Sequence, residues 1–114
     1  MNWRKFFMSV LLTFLTAILL GCVQQQIKDS VLDPESKIVQ DCIALCQSEK
    51  LSGRDLSDGP CLSNRIAENW VCDVAHKPRI DVDNRPENQC PEYRSGIAHH
   101  FVEVDPDCNL ITKN

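Results

Sequence analysis

Residues 33–46 read Asp33-Pro34-Glu35-Ser36-Lys37-Ile38-Val39-Gln40-Asp41-Cys42-Ile43-Ala44-Leu45-Cys46, and their reading decides the fold. An aspartate accepts hydrogen bonds from the free N–H groups of a first helical turn. A proline at the first helical position loses nothing by lacking an N–H. Ile38, Cys42, Leu45 and Cys46 then recur at helical spacing, while Lys37, Gln40, Gln47 and Lys50 fall away from that stripe. Gly53 is the expected stop. Cys42 and Cys46 therefore sit one turn apart on the core-facing side, too closely aligned along the axis to bond each other comfortably. Each must reach a different partner.

Downstream, residues 54–60 carry Ser57-Asp58-Gly59-Pro60, a turn-rich connection that lets the chain reverse beside the helix. Residues 61–66 are ambiguous in type. Residues 70–75 form the clearest strand, with Trp70, Cys72 and Val74 alternating to one face and Val71 and Asp73 to the other. Residues 77–86 read as loop, and 86–94 as a turn or short helix ended by Gly96. Residues 97–105 read as a strand, Asp105-Pro106-Asp107 as a tight turn, and 108–112 as the last hairpin strand. The expected class is α+β: an N-terminal helix packed on a short antiparallel sheet.

The chain begins Met1-Asn2-Trp3-Arg4-Lys5, continues through an apolar run of about fifteen residues from Phe6 to Leu20, and reaches Gly21-Cys22. A basic start, an apolar stretch and a small residue before the cut mark an export signal. The Leu19-Leu20-Gly21-Cys22 ending resembles a bacterial-type lipoprotein signal, or lipobox. That resemblance implies cleavage before Cys22 and acylation of its sulfur. Residues 1–21 are then a signal peptide, 22–33 a lipidated tether and 34–114 a cysteine-rich α+β domain. The competing readings are a plainly secreted chain, for which no A-x-A-like site is present, and an uncleaved anchor. A membrane-crossing helix needs about twenty apolar residues, and this run is shorter and broken by Ser9, Thr13 and Thr16.

Of seven cysteines, Cys22 goes to lipid and Cys42, Cys46, Cys61, Cys72, Cys90 and Cys108 remain. An even set in an exported chain reads as three disulfides, which a domain with so few aromatic residues needs as staples. Fifteen pairings are formally open. The expected one is Cys46–Cys61 across the turn-rich reversal, Cys72–Cys90 and Cys42–Cys108.

Arg4 and Lys5 leave with the signal, so ten basic side chains face sixteen acidic ones, a formal charge of −6. Nucleic-acid binding relies on clustered Lys and Arg, and no such cluster is present. Membrane contact is expected through the lipid on Cys22, not through the protein surface, with an envelope protein as the other expected partner. No G-x-S-x-G, C-x-x-C or identifiable carboxylate pair marks a catalyst, and no cofactor is implied. His76, His100 and Glu103 are candidate metal ligands, an alternative in which strands bring His76 and His100 together. His99 and His100 are adjacent on a strand and point to opposite faces, so they do not share an ion. Asp81-Val82-Asp83-Asn84 is oxygen-rich but lacks the glycine and distal glutamate of a calcium loop.

The segments Gly59-Pro60-Cys61-Leu62-Ser63, Trp70-Val71-Cys72-Asp73-Val74-Ala75-His76, Glu87-Asn88-Gln89-Cys90 and Ala98-His99-His100-Phe101-Val102-Glu103-Val104-Asp105 together resemble a family of small uncharacterised secreted cysteine-rich proteins of prokaryotes, archaeal in type. The resemblance covers nearly all of residues 37–111 and implies a domain outline without an activity. The functional expectation is an extracytoplasmic, lipid-anchored protein with a non-catalytic binding or structural role. The alternative is a metal-binding lipoprotein or metal-dependent hydrolase using His76, His99, His100 and Glu103.

Overall fold

A computed structural model describes residue 3 and residues 33–114. The signal segment 1–21, Cys22 and almost all of the tether therefore lie outside the described residues, except Trp3 and Asp33. Among the described residues no helix is long and apolar enough to cross a membrane.

Helix α1 spans Pro34–Leu51. It ends where Gly53 takes φ +90°: the Gly53 N–H donates to the Lys50 carbonyl and the Arg54 N–H to the Glu49 carbonyl. This crossed pair satisfies two of the carbonyls that a helix end leaves free. Cys42 and Cys46 are fully buried on the inner face of α1, with Ile38, Val39, Ile43 and Leu45 packed around them.

Four strands follow, β1 (Cys61–Ala67), β2 (Trp70–Val74), β3 (His100–Val104) and β4 (Leu110–Lys113), in the spatial order β1-β2-β3-β4. The segment that was ambiguous in sequence is β1. It turns into β2 through Asn69, which takes φ 65°, a conformation asparagine tolerates better than most residues. The α+β class and the helix-on-sheet packing are as expected. The sheet, however, is mixed: β1–β2 and β3–β4 run antiparallel, while β2 and β3 run parallel. A parallel pair needs a long crossover. Residues 75–99 supply it, folding as two 3₁₀ turns (Asp81–Asn84 and Pro86–Asn88) and a one-turn helix α2 (Pro91–Arg94).

Alternation along the two central strands divides the interior. Cys72, Val74, Val102 and Val104 point to the α1 side and form the main core with Cys42, Cys46, Leu56 and Cys108. Val71 faces the other way, where the crossover covers it together with Cys90, Ala98, Cys61 and Phe101. Trp70 is half-buried against the main core, with the His100 ring stacked on it at 4.8 Å. It therefore fills the edge of the core instead of standing free as an anchor.

The six domain cysteines form three disulfides, and every expected pairing is corrected: the bonds are Cys42–Cys72, Cys46–Cys108 and Cys61–Cys90. The reason is the strand face. Cys61 stands opposite Asp73 in the β1–β2 ladder, on the side away from α1, and so cannot reach Cys46. Cys72 points at the helix and takes Cys42, which leaves Cys46 for Cys108. The loops closed span 30, 62 and 29 residues. In the chain-entropy view each contributes about 4 kcal/mol.

Candidate functional site

The second face of the sheet, under the crossover, holds a cleft of about 420 Å³. Its floor follows from strand parity. Val71 pairs in register with Phe101, and Asp73 with Glu103, so two apolar and two acidic side chains lie side by side on the parallel strands. The opposite wall is made by the crossover: Arg79, Gln89, Cys90, and Tyr93 and Arg94 of α2. Tyr93 meets Phe101 edge-on at 5.1 Å, giving the cleft an aromatic corner.

A single residue organises the loop that brings Arg79 in. Asp83 is 1% exposed. Its carboxylate accepts the Ile80 N–H at 2.9 Å, the His76 N–H at 3.1 Å and the His76 ring at 2.8 Å. A carboxylate only accepts, so His76 Nδ1 carries the proton. Burial alone would raise the Asp83 pKa. The Ile80 and His76 donors outweigh it and hold the group below its ordinary value. Gly59 completes this packing. At φ +68° it sits so close that a Cβ would meet Asp83 Oδ1 at 2.6 Å. The oxygen-rich stretch read from sequence is thus an internal clasp, with Asp83 turned inward.

Arg79, held by this loop, donates to Glu103 at 2.6 Å, to the Asn84 side chain at 3.0 Å and to the Asp83 carbonyl at 3.3 Å. Its guanidinium is committed on three sides. Asp73 is left without an equivalent partner. It is 9% exposed, and its Oδ1 is buried with no hydrogen-bond partner. Burial, reinforced by the neighbouring Glu103 carboxylate, pushes the Asp73 pKa up to about 7, against a partial pull downwards from Arg79. A hydrogen bond from the Val74 N–H opposes the rise only in part, and Oδ1 has no donor to stabilise its charge when the group ionises.

The histidines read as candidate metal ligands do not converge. His100 belongs to the α1 side of β3, stacked on Trp70 with Nδ1 3.2 Å from the Asn114 carbonyl. Glu103, three residues on, points into the cleft and is paired with Arg79. His76 is bound to Asp83. His99 lies on a separate depression beside Asn64, Arg65 and Glu92. Among the described residues the group with ligand spacing is Cys61, Asp73 and Cys90, within 4.8 Å of one another. Two of its three donors are the sulfurs of one disulfide, however, and a disulfide offers no thiolate to a metal.

Asp73 is the functional candidate that sequence reasoning missed. Its signal was present: Trp70-Val71-Cys72-Asp73-Val74 is apolar on both faces, so the strand is covered on both sides and the aspartate within it must be buried. The arrangement defines a small α+β domain with a carboxyl-bearing cleft on the sheet face opposite its helix. Its three disulfides are those of a protein that matures outside the cytoplasm. Comparison with protein-family models, curated proteins and solved structures finds no match to this chain.

Proposed function

We propose that this chain is a lipid-anchored, extracytoplasmic binding protein with a non-catalytic role, and that its cleft takes a small ligand or chain end bearing an ammonium group. The observation that carries the reading is Asp73, a residue of the cleft floor whose Oδ1 is buried without a hydrogen-bond partner. A buried acceptor left unpaired costs about 1–3 kcal/mol, and a ligand N–H removes that penalty on binding. An ammonium would also stabilise the ionised carboxylate, while the Tyr93–Phe101 corner offers ring faces to a cation or an apolar substituent. The volume falls in the usual range for small-ligand sites. The anchor is supported by Leu19-Leu20-Gly21-Cys22 and by the disulfides, which pair the six other cysteines among themselves.

The test uses full-length protein in detergent and ligand-observed NMR with phenethylamine, its N-acetyl derivative and phenylpropionate. The amine is expected to bind saturably, at least tenfold more tightly than the other two. That binding should strengthen as pH rises through about 7, where Asp73 ionises. Asp73→Asn is expected to erase the preference. Equal binding of the three probes, or no binding, would overturn the reading.

A further inference from the structure

The three disulfides are not equivalent. Cys42, Cys46 and Cys72 are fully buried and Cys108 is 4% exposed, so the two bonds they form are sealed between α1 and the sheet. Cys61–Cys90 lies on the other face. Cys90, on the cleft wall, is only 3% exposed, but Cys61 is partly exposed and offers the sulfur that can be attacked, and a carboxyl oxygen of Asp73 lies within 4.8 Å of both sulfurs. Two carbonyl oxygens, those of Cys72 and Ser63, stand 3.5 and 3.6 Å from Cys90 Sγ. They would accept an S–H but repel a thiolate. A sulfur leaving at Cys90 is therefore favoured by protonation as it leaves, and the Asp73 carboxyl, whose Oδ1 has no hydrogen-bond partner, is the acid in reach.

We propose that Cys61–Cys90 is a thiol–disulfide exchange site for an external dithiol, with Asp73 as the proton donor to the departing Cys90 sulfur. One thiol of the dithiol, having lost its proton to solvent, attacks the partly exposed Cys61 Sγ. The new S–S bond forms as the Cys61–Cys90 bond breaks, and the bonding pair departs on Cys90 Sγ. Asp73 gives that sulfur its proton and becomes a carboxylate, later reprotonated from solvent. The second thiol of the reductant then attacks its partner sulfur, expels Cys61 as thiolate and passes on its own proton through solvent. The protein bond is reduced by two electrons and the dithiol is oxidised to a cyclic disulfide. In the oxidising direction the same carboxylate receives the Cys90 proton.

The groups facing Asp73 set the pH dependence. Glu103 and Asp83 hold it protonated to higher pH and Arg79 opposes them, while Arg94 and Tyr93 line the same space. Near pH 7 both forms of Asp73 are present, so the carboxyl can act in either direction. The inference rests on the sulfur–carboxyl geometry and needs no bound ligand. Its test is run without one, so it can fail while the ligand reading stands.

Oxidised full-length protein in detergent is exposed to limiting dithiothreitol, quenched by alkylation and mapped by mass spectrometry, with Cys22 read as a separate peptide. Cys61 and Cys90 are expected to label together at least tenfold faster than Cys42, Cys46, Cys72 and Cys108. Expressed per thiolate, the rate should fall as pH rises from 6 to 8.5. In Asp73→Asn it should be about tenfold slower at pH 6 and flat with pH. Glu103→Gln should keep the fall but move its midpoint to lower pH. Simultaneous or earlier labelling of the core cysteines in the wild-type protein would overturn the proposal, whether or not a variant folds. So would identical pH profiles for wild type and Asp73→Asn.

Discussion

Replacing Asp73 by asparagine should make the protein more stable, and increasingly so as pH rises. The native carboxyl keeps its proton up to about pH 7, whereas an unfolded aspartate releases it near its ordinary value of 3.8. Between those values the native state binds more protons than the unfolded one, so this group makes stability fall with rising pH. The loss is complete above about 7. A shift of that size corresponds to about 4 kcal/mol at most, since each pH unit is worth about 1.4 kcal/mol. Asparagine has nearly the same shape and never ionises. Any group its amide leaves unpaired carries a penalty that does not vary with pH, so the signature lies in the slope of the difference. Urea unfolding of both proteins with disulfides intact, at pH 4, 5.5, 7 and 8.5, measures it. The stability of Asp73→Asn relative to wild type should rise by about 2–4 kcal/mol across that series. For a domain of this size that is about 10 °C or more in melting temperature. Titrating groups that do not interact with Asp73 are common to both proteins and cancel. Curves that stay parallel to within about 0.5 kcal/mol would show that Asp73 is solvated or paired, and the cleft argument would fall with it.

Three further outcomes follow from other parts of the molecule. Gly59→Ala should cost about 2–4 kcal/mol in thermal unfolding, because its Cβ meets both Asp83 Oδ1 at 2.6 Å and the Val74 carbonyl at 3.0 Å. Gly96→Ala, also at positive φ but with nothing within 4 Å, should lose only about 1–2 kcal/mol; equal losses would show that the Asp83 clasp is not tight. Peptide mapping under non-reducing conditions should recover Cys42–Cys72, Cys46–Cys108 and Cys61–Cys90, and a Cys46–Cys61 peptide would contradict the strand-face argument. Cys22→Ser should release the protein from membranes into aqueous buffer with its three disulfides intact; equal extraction of wild type and variant would refute the lipid anchor.

The elements that were legible in sequence are those whose signals are local. Asp33-Pro34 and Gly53 bracket α1 closely, and its apolar stripe places Cys42 and Cys46 inward as the spacing implies. The alternation at 70–74 is also observed, with Cys72 and Val74 on the α1 side and Val71 on the other. What was not legible depends on contacts distant in the chain. The direction of β3 relative to β2 is set by how residues 75–99 cross the sheet, and that segment has no periodicity to betray its path. The disulfide partners depended in turn on the face taken by Cys61, which the bulged β1–β2 register decides. The same register places Asp73 against Cys61 and, through β3, against Glu103. The cleft is therefore a product of strand pairing, and no single stretch of sequence contains it.

The position of Asp73 also bears on why the domain is stapled as it is. Its ionisation disfavours folding by an amount comparable with the roughly 4 kcal/mol contributed by one disulfide. The main core lies across the sheet and is held by Cys42–Cys72 and Cys46–Cys108, neither of which borders the cleft. Both bridges that tie α1 down are therefore on the face opposite the cleft, separate from Cys61–Cys90. A rule of local stability is broken at one point, in the middle of the best strand, while the surrounding elements agree with one another. Such isolated conflicts are where function is expected to reside. The two core bridges make this one affordable, and they leave the third bridge, beside the carboxyl, free to be something other than a staple.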